Sequence, residues 1–338
     1  MHLIIPYAAS HAFTGPEVWV DFQLPHLKTL LGRLQHQQTL QDTATDMALH
    51  MPHERLRAQT LGWSHDAQAL PWAAWQTSQN PLNTPQSPNS PTGHIHHMPQ
   101  AWMTPCHWQI GMDQVVMANP EHLHLSDEES QQLLQTMQAF LLEDGLSVTW
   151  QSALQWHVQG AMLTDLPTVS LDRVIGQNVK HWMPDHPATR PFQRLQSEMQ
   201  MLLYNHPVND AREARRQHTV NAFWLHGAGV LPVDVTQPVQ AVNMPDTLRA
   251  SALQGDVPAW RQAWQHLDAT AVADALKHLE TTGQVTLSLC SEHTAHTFTA
   301  PSTASQAWYQ RTTRNLKQLF NPTSPAAALQ ALVSPTTA

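Results

Sequence analysis

Residues 205–229 read NHPVNDAREARRQHTVNAFWLHGAG, and the fold class turns on how this stretch is parsed. A preceding amphipathic segment over 192–204, with Leu195, Met199 and Leu202 on one face, predicts a helix that stops near His206 and Pro207. Asn209 and Arg212 follow within one short turn, and residues 220–225 then read as a buried strand entering a glycine turn at Gly227–Gly229. Asn offers amide donors and a carbonyl, and Arg a planar fork matched to carboxylate or phosphate. Arg215 and Arg216 add positive potential. Such a helix–turn–strand unit is what a site for a small phosphorylated or carboxylated molecule needs, and equally what a helix cap with a surface Arg looks like.

Working outward, the same alternation recurs. Leu3–Ile5 is a short apolar run followed by Pro6, and a helix is expected over 25–34, where proline suits the first turn. Ser126 with Glu129 three residues later is a capping-box signature. Leu133, Leu134, Met137, Phe140 and Leu141 follow at helical spacing up to Gly145, and 146–150 and 154–158 alternate like strands. In the last third, Trp260, Trp264 and Leu267 form one apolar face and Val272, Leu276 and Leu279 another; Gly283 ends the helix before a strand over 285–290. Strand and helix in alternation predict an α/β protein. Residues 76–100 hold five prolines among Asn, Ser, Thr and Gln and read as a linker, and the tail from Asn321 reads as mobile.

Composition bounds the function. The chain has 338 residues, 17 Lys+Arg against 26 Asp+Glu, and 23 His. Charged residues make up only 13%, about half the roughly 25% usual in soluble proteins. A hydrophobic fraction of 41% is too high for a disordered chain. No apolar run approaches a membrane span and no signal peptide is visible, so a cytoplasmic location with no membrane partner is expected. A net charge of −9 argues against nucleic acid as a partner. The charge is uneven: residues 58–172 contain ten acidic and no basic residues, whereas 173–216 hold seven basic against four acidic. That cluster reads as a site for a small anion, as a docking patch for an acidic protein, or as a solvated helix face.

Other motifs are weaker. His94, His96 and His97 could ligate a transition metal but lie in the linker, so no metal is expected there. Cys106 beside His107 suggests a nucleophile and base, but neighbouring side chains point apart and no third group is evident, which favours a buried structural thiol. No phosphate loop, zinc-type Cys pair or nucleophile elbow is present.

His206, Pro207, Val208, Asn209, Arg212, Asn221, Trp224, Leu225, Gly227 and Gly229 together resemble the archaeal-type cofactor-independent phosphoglycerate mutases. The resemblance extends upstream through SLDRVIGQNVKHWMP at 170–184, and more weakly over 104–233. It implies an alkaline-phosphatase-like core, partial and degenerate, with an inserted smaller α+β lid domain that grips the substrate. The corresponding division is 1–75 and 236–320 for the core, 76–102 for the linker, 103–235 for the gripping domain and 321–338 for the tail. Over most of its length the chain also resembles shorter proteobacterial proteins labelled either phosphoglycerate mutase or regulator of extracellular-enzyme production, including Pro52–Glu54 and Leu61–Trp63. The resemblance implies Arg173, His206, Asn209, Arg212 and Asn221 as anion-binding residues.

The departures are as informative. Where the family has an aspartate metal ligand after its opening strand, this chain has Pro6, Tyr7 and Ala8; where it has a serine nucleophile, Pro52, His53 and Glu54 stand. Arg216 and Thr219 replace a glycine and a proline. Tyrosine cannot replace a carboxylate bridging two divalent ions, so no cofactor or metal is expected. The reading is a phosphoglycerate-mutase-like binding protein without the family's metal and nucleophile residues, holding a small phosphorylated acid between two domains, possessing no catalysis and serving a regulatory role. The alternatives are an active mutase or phosphatase with His53 as nucleophile and Glu54 assisting, and a protein-interaction module using the basic cluster.

Overall fold

The computed structural model describes residues 1–13, 15–42, 48–64, 69–79, 98–232, 241–301 and 324–334. The chain forms two compact units, one built from residues 1–65 with 236–338 and the other from 66–235. In chain order the first unit begins with strand β1 (His2–Ile5), helix α1 (Pro25–Arg33), strand β2 (Gln35–Gln41) and helix α2 (Pro52–Thr60). The second contains α3 (Trp72–Gln79), β3 (Gln100–Cys106), a hairpin of β4 (Trp108–Ile110) and β5 (Val115–Met117), α4 (Asp127–Glu143), β6 (Ser147–Ser152), β7 (Gln155–Gln159), α5 (Leu171–Val174), α6 (Arg190–Tyr204), α7 (Pro207–Ala214) and β8 (Ala222–Gly229). The first unit then resumes with β9 (Val242–Asn243), α8 (Arg249–Gln254), α9 (Val257–Leu267), α10 (Ala273–Thr282), β10 (Thr286–Cys290), β11 (Thr294–Thr299) and α11 (Pro325–Ala331). The architecture is mixed α/β.

In the first unit the sheet order is β2-β11-β10-β1-β9, with β1 parallel to both its neighbours and β11 antiparallel to β10 and β2. Side chains alternate across a strand, and β1 is buried on both faces. Leu3 and Ile5 join a core with Leu27, Leu30, Trp260 and Trp264, while Ile4 joins Leu56 of α2 and Cys290. Such two-sided burial is the usual setting of parallel strands. The α1 helix starts at Pro25 without a side-chain cap of its own. Asp268 supplies one, accepting from the backbone N–H groups of His26 (3.2 Å) and Leu27 (2.7 Å). Asp268 opens a short π-helical stretch, Asp268–Val272, between α9 and α10. The tail departs from expectation. Residues 325–331 form α11, and Ala328, Leu329 and Leu332 are buried in the main core, so the ordered helix replaces the mobile tail expected from Ala, Pro, Ser and Thr.

The second unit has an antiparallel sheet in the order β6-β7-β3-β8. Leu133, Met137 and Leu141 of α4 and Leu195, Met199 and Leu203 of α6 share one core with Ala101, Trp156, Val158 and Phe223 of the strands. Both capping-box hydrogen bonds of α4 are formed, Ser126 with Glu129. The expected linker over 76–102 is structured at both ends, by the last turn of α3 and the fully buried β3; its middle, with His94, His96 and His97, lies outside the described residues. The expected glycine turn is instead a continuation of β8 to Gly229. The glycines serve close approach: a Cβ on Gly227 (φ +63) would lie 3.2 Å from Trp72 Cβ, and one on Gly229 (φ +142) 3.2 Å from Pro71 Cβ.

Candidate functional site

The residues singled out from 205–229 are brought together, and their polar atoms meet the chain's own groups. His206 caps α7: its Nδ1 accepts from the Val208 N–H at 3.2 Å, and its Nε2 lies 2.9 Å from Thr136 Oγ1 on α4. Asn209 Nδ2 donates to the carbonyls of Leu203 and Val220, both at 2.8 Å, and its Oδ1 accepts from the Val220 N–H. Asn221 pairs in both directions with the backbone of Trp108. Trp224 Nε1 donates to the Val169 carbonyl at 3.0 Å.

Arg212 is 0% exposed. Its Nε donates to the His218 carbonyl at 2.7 Å, one terminal nitrogen to Glu129 Oε2 at 2.6 Å, and the other to the Leu123 carbonyl. Each of its three nitrogens therefore has a protein oxygen, the arrangement a buried guanidinium requires. Glu129 also pairs with Arg215, and Arg194 with Asp144, so much of the basic cluster is balanced by acids on or just after α4. Arg173 is buried on α5 with its guanidinium carbon 5.8 Å from the Trp182 ring centre. Arg216 has φ +57 and stands just past the α7 cap at Arg215, the left-handed position that helix ends usually give to glycine.

His53 is 8% exposed, with its ring centre 6.0 Å from that of Tyr7. Glu54 accepts the Met51 N–H at 2.9 Å and so closes the first turn of α2. Cys106 and Cys290 are both buried free thiols, and burial pushes both pKa values up, so neither is poised as a thiolate.

A second constellation sits where β1 and β10 end. Ligands of open α/β sheets favour the carboxyl ends of parallel strands. Just past β1 the chain turns at Tyr7 (φ +54, 1% exposed). The carbonyls of Tyr7 and Ala8 accept from the indoles of Trp260 (3.0 Å) and Trp264 (3.1 Å), and the Ala8 N–H donates to the Cys290 carbonyl. This fixes the segment that carries Ser10 and His11. Glu292, just past β10, receives Ser10 Oγ at 2.5 Å on one oxygen; the other receives the His11 N–H at 3.1 Å and His11 Nδ1 at 2.9 Å. The rings of His11 and His293 stand edge to face, 5.2 Å apart. His293 Nδ1 lies 3.4 Å from Asp42 Oδ2, and Asp42 Oδ1 accepts from Arg55 at 3.0 Å. Burial would raise the Glu292 pKa, but the hydrogen bonds from His11, Ser10 and backbone N–H groups outweigh it and hold the carboxyl below its usual range. Two imidazoles thus turn their Nδ1 atoms toward carboxylates. Ser10, His11 and Glu292 carry no motif in the sequence; Ser291–His293 directly after an apolar strand is the one local signal of this site.

Among the described residues, no three His, Cys, Asp or Glu side chains group as a metal site, and no helix is long and apolar enough to cross a membrane. No family model matches the sequence, and no curated protein matches it. Among solved structures the chain is similar to the PH0037 protein from Pyrococcus horikoshii, with 10% identity over 89% of this chain and 87% of that one and a TM-score of 0.43. It is also similar to the cofactor-independent phosphoglycerate mutase from Thermoplasma acidophilum DSM 1728, with 11% identity over 98% of this chain and all of that one (100%) and a TM-score of 0.36.

Proposed function

We propose that the chain binds a small phosphorylated or carboxylated acid at the ends of β1 and β10, and that it holds such an acid rather than isomerising or hydrolysing it. The observation that carries this reading is the Ser10–His11–Glu292–His293 constellation. Its carboxylates face donors from the chain itself, so the edge left for a ligand is that of His11, whose Nε2 has no hydrogen-bond partner among the described residues. A protonated imidazole whose Nδ1–H is held by a carboxylate offers its Nε2–H to an anion as a charge-assisted hydrogen bond, and the unprotonated ring keeps a lone pair there. Buried Tyr7 stands just past β1, where the mutase family that the sequence resembles has an aspartate metal ligand. In this reading His206, Asn209, Arg212 and Asn221 frame the second unit, because their polar groups already serve its backbone and Glu129.

Titration calorimetry with 3-phosphoglycerate in the absence of metal tests the proposal. Binding is expected, lost in His11→Ala/His293→Ala, and kept by folded Arg212→Lys. Heat-silent titrations across related phospho-acids would reject the reading. Manganese-dependent turnover abolished in His53→Ala would replace it with the enzymatic alternative.

A further inference from the structure

We infer that His11 is a phosphoryl-acceptor site, its Nε2 taking a phosphoryl group from a small reactive donor of the acyl phosphate or phosphoramidate class. The inference rests on the site proposed above and adds a covalent step to it. An imidazole nitrogen is a good nucleophile when a carboxylate holds the proton on the other nitrogen and fixes the ring. Glu292 does both for His11, binding the ring Nδ1 and the backbone N–H of the same residue through one oxygen while Ser10 anchors the other. Nε2 has no hydrogen-bond partner among the described residues, and the side chain is 44% exposed. His26 shares the carboxylate contact and the exposure, its backbone N–H and Nδ1 lying 3.2 and 3.1 Å from Asp268 Oδ2 with the side chain 42% exposed. Among the described residues, however, no second imidazole stands beside it as His293 does beside His11. His53, Ser10 and the two thiols each lack one of these properties. His53 is nearly buried, Ser10 is 2% exposed with its hydrogen bond committed to Glu292, and both thiols are buried.

With zwitterionic phosphoramidate as donor, its nitrogen already carrying three protons, the lone pair of unprotonated Nε2 forms the new N–P bond as the donor's P–N bond breaks, and ammonia leaves with that bonding pair. The ring gains a positive charge, which the Glu292 carboxylate offsets through the Nδ1 proton. His293 stands edge to face beside that ring, 5.2 Å between centres.

The test is incubation of the full chain with phosphoramidate, followed by peptide mapping of acid-labile label at early times. His122 and His124, both exposed, serve as internal standards of ordinary histidine reactivity. His11 is expected to label first and about tenfold faster than these standards, with roughly tenfold or greater slowing in Glu292→Gln. The label should vanish from that peptide in His11→Asn and persist in His53→Asn. Labelling of His11 no faster than His122, an acid-stable label on Ser10, or an unchanged rate in Glu292→Gln overturns the inference. Metabolite binding by a protein that fails this test leaves the binding proposal standing and removes only the covalent step.

Discussion

Replacing Arg212 by Met separates a framing residue from a ligand-binding one. The substitution keeps most of the side-chain volume, removes the charge, takes one of two donors from Glu129 Oε2, and leaves the carbonyls of His218 and Leu123 without the guanidinium donor. Breaking a buried ion pair from one side costs about 3–5 kcal/mol. Each carbonyl left unsatisfied adds roughly 1–3 kcal/mol. These terms do not sum, because the groups share one site, and Glu129 keeps Arg215 and the Ser126 N–H as partners. A net loss of about 3–5 kcal/mol is expected, a large fraction of the roughly 5–15 kcal/mol that holds a typical domain together. Urea unfolding followed by tryptophan fluorescence gives the magnitude, and hydrogen exchange on β8 peptides locates it in the second unit. Arg212→Lys should lose less, since an ammonium retains the charge but not the three-way fork. A folded Arg212→Met protein destabilised by less than about 1 kcal/mol that no longer binds 3-phosphoglycerate would refute the reasoning and return Arg212 to the ligand.

Arg216→Gly should stabilise the protein by about 1 kcal/mol, because only glycine takes a left-handed φ without a Cβ penalty; a neutral or negative change in thermal unfolding would contradict this. Gly227→Ala should destabilise by roughly 1–3 kcal/mol, from its φ of +63 and the 3.2 Å approach to Trp72 Cβ, measurable by denaturant titration. Leu329→Ala, at a site with 0% exposure in α11, should cost about 2–5 kcal/mol, whereas a truly mobile tail would register nothing. His2 and His157 are held near pKa 4 by burial. The unfolded chain therefore binds more protons than the folded one between about pH 6.5 and 4, and stability present above this window falls as pH drops through it. Each residue contributes on the order of 3 kcal/mol to that loss, and His157→Gln should flatten the pH profile of the second unit.

Local chemistry explains which parts of the fold were legible. The Ser126–Glu129 capping box and the Pro25 helix start are encoded within one turn of chain, and both helices form where read. The Trp260 and Trp264 face is likewise a matter of spacing, and both rings are fully buried. Gly227 and Gly229 misled because glycine permits a turn and a close backbone approach equally well, and only the position of Pro71 and Trp72 chooses between them. The Ala-rich helix over 325–331 looked disordered because its order depends on distant partners, such as Ser291 Oγ donating to the Leu332 carbonyl. The acceptors of Arg212 were not legible because they come from residues 123, 129 and 218. The Ser10–Glu292 pair spans 282 positions, and nothing in the spacing of either residue announces the other.

The Asp268 cap on α1 sets an order of events during synthesis. The first helix obtains its N-terminal acceptor about 240 positions downstream (241 for Leu27 and 242 for His26), and β1 finds both strand neighbours only at Val242 and beyond. A ribosome adding about 5–20 residues per second therefore exposes the opening segment for tens of seconds before its pairing partners emerge, while the complete 66–235 unit can already close. Chaperone capture of nascent chains should accordingly concentrate on the first sixty or so residues, and a circular permutant beginning at residue 236 should shorten that vulnerable interval.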